Sequence, residues 1–405
     1  VTCIRHKGGE MIKGPTASML TLARELMFEF TALSGLSPAR PDPIRYLWTD
    51  AFAVCNFLAL YRETREEQYG KLALDLVHQV HSNLGRHRSD DERKGWISGL
   101  DEKEGALHPA IGGLRIGKKM NERKPEEPFD ESLEWDRDGQ YYHYLTKWMH
   151  ALTKVSLVTG NPVYTKWATE LAKTAHAGFC YAPSPGARKR MYWKMSIDLS
   201  YALVPSMGQH DPLNGLVTYC ELQSRSQTKA QRDRPSLSSE IIEMARMCEG
   251  QRLTTDDPLG IGSLLVDACI MSQLIVKAGF PYPNLLPEVL DAARSGLDRY
   301  AMTASMKLPA DYRLAFRELG LSIGLHAVRQ MKEFINQHAG AFDNISSISA
   351  QLDHLARHFP LQREIEAFWS ERHNRASDNW SAHLFINTVM LATSLVPDGL
   401  LYIGV

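Results

Sequence analysis

The feature that most constrains this chain is an internal match: Leu60, Thr64, Tyr69 and Ala73 recur as Val155, Thr159, Tyr164 and Ala168 with identical relative spacing. Each set spells helix, turn, helix. In the second copy, Thr159-Gly160-Asn161-Pro162 stops one helix and starts the next, because glycine suits a C-terminal cap and proline is tolerated only in a first turn. The first copy turns around Arg65, Glu66 and Glu67, which favour helix more and mark the boundary less sharply.

Looser copies follow. One reads as helix through Asp198 to Val204, turns at Met207-Gly208 to Asp211-Pro212, and resumes over Leu216 to Leu222. Another runs from Ile261 to Val276, breaks at Gly279 to Pro283, and continues from Leu286 to Leu297. A further one begins near Ala310, carries Leu314, Leu319, Ile323 and Val328, and returns through Ile348 to Leu361. The last full helix is predicted over Trp380 to Leu395. With a helical segment at 17–35 in front, the tally is roughly twelve helices in six hairpins, and strand-like alternation is scarce.

Hairpins that cannot bury their faces alone must stack on neighbours, in an open array or a closed ring. The copies vary in length, whereas open arrays hold a tighter period, so closure is favoured. The expected fold is therefore all-α: a single (α/α)6 toroid over residues 1–405. Two long irregular stretches interrupt it. Residues 84–137 read as an inserted loop over one rim, and within 223–256 the run Gln227 to Arg234 reads as a solvated linker.

These hairpins, with Trp48-Thr49-Asp50 and Trp135-Asp136-Arg137-Asp138 opening two of them, resemble the six-hairpin glycosidase superfamily. The resemblance is architectural. It implies inner and outer rings of helices and a carbohydrate-binding cleft at one rim. Epimerases acting on N-acylated sugars share the toroid, but their paired catalytic histidines find no match here, so no catalytic residue is carried over.

Partners are bounded by composition. Lys+Arg 46 against Asp+Glu 47 leaves a net charge of -1, without the basic footprint of a nucleic-acid binder. No wholly apolar run reaches the roughly 18 residues that suggest a membrane span. Cys3, Cys55, Cys180, Cys220, Cys248 and Cys269 are scattered without a CxxC pair and read as buried free thiols. Gln209-His210-Asp211, His373 and His383 lie in different hairpins and lack ligand spacing such as HExxH, so neither a metal nor another cofactor is expected. Cytoplasmic residence is the default expectation, with secretion left open because the chain starts at Val1.

In a toroid the N-termini of the inner helices collect on one rim, and unusual residues stand there. Trp48 and Asp50 open one helix; Trp135, Asp136 and Asp138 another; Trp193, Lys194 and Asp198 a third; Asp256 and Asp257 a fourth; Asp378, Asn379 and Trp380 the last. An aspartate at a helix start is ordinarily a cap. Aromatic faces beside carboxylates, however, are what a sugar site needs: stacking under the ring and proton transfer beside it.

The first acid pair is accordingly Asp50 with Asp136 or Asp138. On the helix after Asp138, Tyr144 and Lys147 share a face that can meet hydroxyls or a carboxylate, with Tyr142 and His143 beside them; packing in an inter-helix seam is the competing reading. Gly112 to Lys119 lacks the Ser or Thr and the preceding strand of a P-loop. Its Arg115, Lys118 and Lys119 would suit an anionic sugar, or form a solvated basic loop.

The expected function is a glycoside hydrolase acting on a small-molecule or oligosaccharide substrate. A sugar epimerase or isomerase using His108, His143 or His383 is the first alternative, and a non-catalytic helical repeat protein the second.

Overall fold

The computed structural model describes residues 15–225, 235–303 and 305–404. In chain order the helices are α1 (Ala17–Ser34), α2 (Leu47–Thr64), α3 (Glu67–Leu84), the short α4 (Glu102–Leu107) and α5 (Glu131–Glu134), α6 (Tyr142–Thr159) and α7 (Val163–Phe179). There follow α8 (Asp211–Arg225), α9 (Ser238–Cys248), α10 (Pro258–Ala278), α11 (Leu285–Ala301) and α12 (Ala315–Gln337). The last are α13 (Ile345–Ala356), α14 (Phe359–Ser370), the short α15 (Asp378–Ala382), α16 (Leu384–Leu395) and α17 (Asp398–Leu401).

The toroid is closed. Helices α2, α6, α8, α10, α12 and α16 pack side by side in that order, and α16 returns to α2. Outside them α3 packs on α2, α7 on α6, α9 on α8, α11 on α10, α14 on α12, and α1 on α16. The first helix is thus the outer partner of the last inner one, which joins the two ends of the fold. Burial follows this division: α2 is buried from Leu47 to Leu60 without a break, whereas α3 buries only a stripe through Tyr69, Leu72, Ala73, Leu76 and Val80. Helix α10 is long and apolar enough to cross a membrane by length and composition, and 72% of its most apolar window is buried inside the ring.

The internal sequence match is a turn device. Thr64 and Thr159 each donate a side-chain hydrogen bond to the carbonyl four residues back, Leu60 at 2.8 Å and Val155 at 2.7 Å. Each also accepts from the backbone N–H two residues on, Glu66 and Asn161, both at 3.2 Å. The residue between is left-handed in both copies, Arg65 with φ 61° and Gly160 with φ 70°. A side chain costs roughly 1 kcal/mol there, so Arg65→Gly is expected to raise stability by about 0.5–1 kcal/mol. Urea denaturation measures this; an unchanged or lower midpoint would contradict the turn assignment.

Three predicted helical stretches differ in the structure. Asp198 to Val204 is not helical: β4 (Lys194–Met195) and β5 (Ala202–Val204) form a three-stranded sheet with β1 (Gln140–Tyr141), in the order β1-β4-β5, while β2 (Cys180–Tyr181) pairs with β3 (Arg190–Met191). Asp198 Oδ1 accepts from Ser196 Oγ at 2.9 Å and from the Ser200 N–H at 3.1 Å, a side-chain turn that competes with helix. The return over Ile348 to Leu361 is split between α13 and α14, where Pro360 can sit only in a first turn. The last helix breaks at His383 into α15 and α16.

Within 223–256 the structure forms α9, while Gln227 to Arg234 lie outside the described residues. Cys55, Cys180, Cys220, Cys248 and Cys269 are free thiols, all buried except the half-buried Cys180; Cys3 lies outside the described residues.

Residues 398–404 seal the end of the ring where the inner helices finish. His150 Nε2 donates to Leu400 O at 2.9 Å, Gln273 Nε2 to Leu401 O at 2.8 Å, and the Ile403 N–H returns to Gln273 Oε1 at 3.1 Å. Lys154 Nζ reaches Tyr402 O, and Arg225 Nη1 reaches Gly404 O at 3.1 Å. The toroid therefore has one floor and one mouth, and the mouth lies at the N-terminal ends of the inner helices.

Candidate functional site

Above that floor lies an axial cavity of about 390 Å³. Trp48, Phe52, Tyr144, Trp193 and Phe316 supply aromatic wall, and His143, Lys147, His210, Asp211, Asn214 and Asp267 supply polar groups. Apart from His210, which stands just before α8, these polar side chains come from three adjacent inner helices, α6, α8 and α10. Tyr144 and Lys147 sit three residues apart on α6, so one helical face delivers both.

Asp211 opens α8 and Asp267 lies mid-way along α10. Asp211 is 4% exposed, and its Oδ2 has no hydrogen-bond partner in a fully buried position. Burial pushes this carboxyl up to about 7, against the Gly208 N–H and the positive charge of Lys147. The space in front of it depends on Gly208, because a Cβ at that position would stand 2.3 Å from Asp211 Oδ2. Asp267 is raised as well, again by burial, and Lys147 and Asn214 oppose the shift. Asn214 Nδ2 donates to Asp267 Oδ2 at 2.5 Å. Lys147 thus acts electrostatically on both acids.

Two histidines complete the wall. His143 Nδ1 lies 3.8 Å from Asp211 Oδ1, and burial first, with Lys147 second, drives its pKa well below the ordinary imidazole value. His210 is also lowered, by burial. Its Nε2 is 2.7 Å from Leu253 O; since a carbonyl only accepts, that nitrogen carries the proton and Nδ1 is the acceptor in the neutral ring.

Of the residues singled out in the sequence, Trp48, His143, Tyr144, Lys147, Trp193 and Asp257 meet at this cavity, where Asp257 caps α10 and pairs with Arg317 at 2.7 Å. The three aspartates expected as acids do not line it. Asp50 is 1% exposed, accepts from the Tyr46 N–H at 3.0 Å and pairs with Arg45 at 3.4 Å; it caps its own helix, with its carboxyl raised to about 6 by burial. Asp138 is fully buried against Arg115 at 2.5 Å and Arg88 at 3.3 Å. Asp136 is exposed beyond the start of α6.

The remaining candidates also take other places. Arg115 is buried and donates to Arg86 O and Asn83 O besides Asp138, so it is not a cation presented to ligand. Tyr142 is fully buried and donates to Tyr219 Oη at 2.8 Å between α6 and α8. Lys194, also fully buried, holds Glu134 Oε1 at 2.7 Å and Arg137 O at 2.8 Å. Asp198 pairs with Arg93 at 2.8 Å, and His108 with Glu170 at 2.8 Å. Trp380 is 3% exposed and packs on Trp369. His383 is exposed, stands edge-on to Phe316 and does not line the cavity. Trp135 is half-exposed and meets Trp193 edge-on, with ring centres 5.6 Å apart.

Residues 84–137 pack against the start of α2, where the Leu47 N–H donates to Ile116 O at 3.0 Å, and before α6, where the Ile116 N–H donates to Gly139 O at 2.8 Å. No residue of this segment lines the cavity; Trp193 and residues 208–211 do.

Sequence reasoning passed over Asp211 and Asp267. A signal existed for Asp267: it is the single carboxylate in the apolar run Ile261 to Val276, where an unpaired charge is costly and therefore rarely incidental. A roomier cavity, about 890 Å³, lies between α1, α12 and α14. Its most buried acid, Glu366, is already satisfied by Ser322, His326, Gln362 and Ser394, which leaves no poised group there.

No protein-family model matches the sequence, and no curated protein matches it. Solved structures do match in shape. The GH76 α-mannanase of Bacteroides thetaiotaomicron superposes with a TM-score of 0.53 at 10% identity, covering 94% of this chain and 96% of the mannanase. A family 76 glycoside hydrolase from a bovine Bacteroides thetaiotaomicron strain gives 0.52 at 11% identity, over 95% of this chain and 78% of that one. The cellobiose 2-epimerase of Spirochaeta thermophila gives 0.48 at 11% identity, over 95% and 99%. These likenesses show the fold, an (α/α)6 toroid.

Proposed function

We propose that the protein is a carbohydrate-active hydrolase that cleaves a glycosidic bond in the axial cavity, with Asp211 as general acid and Asp267 as the ionised partner. The observation that carries this is Asp211 itself: a buried carboxyl raised to about 7, with one oxygen unpartnered, lining one cavity with aromatic rings and a second buried acid. Such an acid keeps its proton near neutrality and can give it to a leaving oxygen. Asp267 is the better anion because Asn214 and Lys147 stabilise its charge. Trp48, Tyr144 and Trp193 offer ring faces to a pyranose. The two GH76 enzymes with the same fold act as an α-mannanase and a glycoside hydrolase, which supports this class of reaction.

The pH dependence follows from the sign of the Asp211 shift. Its acid form is needed, so kcat/KM falls as pH rises through about 7. Asp267 must be ionised, and because it too is raised, the acidic limb lies above the ordinary carboxylate range. The test is a reducing-sugar assay over a panel of oligosaccharides and aryl glycosides from pH 4 to 9. Full activity in both Asp211→Asn and Asp267→Asn would sink the acid assignment, and no glycoside cleaved across the panel would sink the hydrolase.

The neutral His143 and His210 favour one second reading, a sugar epimerase or isomerase in which they pass a proton at carbon. Incubation in D2O separates the two: deuterium enters the sugar without chain shortening only in the second.

A further inference from the structure

Away from the axial cavity, on the outer ring, Asp298 of α11 meets His354 of α13 and His358 at the N-cap of α14. Asp298 Oδ1 lies 2.8 Å from His354 Nε2 and 3.3 Å from His358 Nε2. The ligand atoms of the three side chains all fall within 4.8 Å of one another. The two histidines are four residues apart, a spacing that puts both rings on one face as α13 gives way to α14.

A surface carboxylate needs one cation for an ion pair, yet here two imidazole nitrogens converge on one oxygen. The 3.3 Å separation is that of neighbouring ligands on one ion, and the 2.8 Å hydrogen bond needs to open by only about 0.5 Å to reach it. In a tetrahedral site with bonds of about 2.0 Å, neighbouring ligand atoms stand about 3.3 Å apart. The side chains are 37% (Asp298), 31% (His354) and 19% (His358) exposed, which leaves an entry path and room for a water as fourth ligand. Arg294 Nη1, 3.4 Å from Asp298 Oδ2, orients the carboxylate from behind, as outer partners of metal ligands do.

We propose that Asp298, His354 and His358 bind a zinc-like divalent ion that clamps α11 to the junction of α13 and α14. Two imidazoles and one carboxylate select a borderline first-row ion over Mg2+ or Ca2+, which prefer all-oxygen shells. Each histidine would offer Nε2 and keep its proton on Nδ1. The clamp fixes an outer position where the toroid uses two short helices, split at Pro360, in place of a continuous one. Its role is structural, and it is independent of the hydrolase reading.

The test uses the full chain after dialysis against chelator. Titration with ZnCl2 should show one saturable equivalent and raise the thermal midpoint, while MgCl2 does neither. Co2+ should give the visible absorption of a tetrahedral site. In the His354→Gln/His358→Gln variant, and separately in Asp298→Asn, Zn2+ affinity should fall at least about 10-fold, the scale reached even by second-layer changes. Circular dichroism checks that both variants are folded. Absence of saturable Zn2+ binding overturns the proposal, and so does binding with an unchanged Co2+ spectrum in the variants, which would place the ion elsewhere on the chain.

Discussion

Asp211→Asn should cut turnover at least about 100-fold and, at pH 8, make the protein more stable. Both effects come from one carboxyl, raised to about 7 by burial and lacking a partner on Oδ2. The unfolded chain releases this proton near pH 4 and the folded chain near 7, so wild-type stability falls as pH rises between those values and is level above them. Asparagine has no proton to lose. Its advantage should therefore be near zero at pH 4, grow through pH 7, and reach a few kcal/mol, with about 4 kcal/mol as the ceiling. Removal of a general acid costs about 100-fold to 10,000-fold in rate. Loss of activity with gain of stability is the signature of a strained functional group rather than a structural one. Thermal denaturation at pH 4, 6 and 8, with kinetics at pH 6, measures both; a variant that keeps its activity, or that is less stable than wild type at pH 8, would refute the role.

Much of the fold was legible because hairpin chemistry is local. The Thr64 and Thr159 turns can be read from sequence because the hydroxyl, the left-handed residue and the buried alanines sit within a few positions of each other. Ring closure was inferred from irregular copies, and the α16 to α2 contact realises it. The floor was not legible. Residues 398–404 give no periodic signal, and their hold on His150, Lys154 and Gln273 spans more than a hundred positions. Candidate site residues divided in the same way. Tyr144 and Lys147 were found because helical spacing predicts a shared face, and Trp48 because it opens an inner helix. Asp211 was missed because its significance lies in an oxygen without a partner, which only the packed structure shows, whereas Asp267, the single carboxylate in the apolar run of its helix, was legible and passed over.

Asp138 is the mirror case, and its replacement should damage folding rather than chemistry. It was singled out beside Trp135 as an acid at a helix start, yet its carboxylate is fully enclosed by four donors: Arg115 at 2.5 Å, Arg88 at 3.3 Å, and the Gly117 and Gly139 N–H groups at 3.0 Å each. No oxygen remains for a substrate. Arg115 is itself 8% exposed, so Asp138→Asn strands a buried guanidinium and turns an amide N–H2 toward groups that can only donate. Breaking one side of a buried ion pair costs about 3–5 kcal/mol. The residues at stake tie segment 84–137 to the start of α6, so the loss should expose that segment to limited proteolysis before the ring opens. Urea midpoints and proteolysis rates follow the damage, and turnover per folded molecule should stay near wild type. A variant of unchanged stability with lost turnover would instead return Asp138 to the active site and displace Asp211 from it.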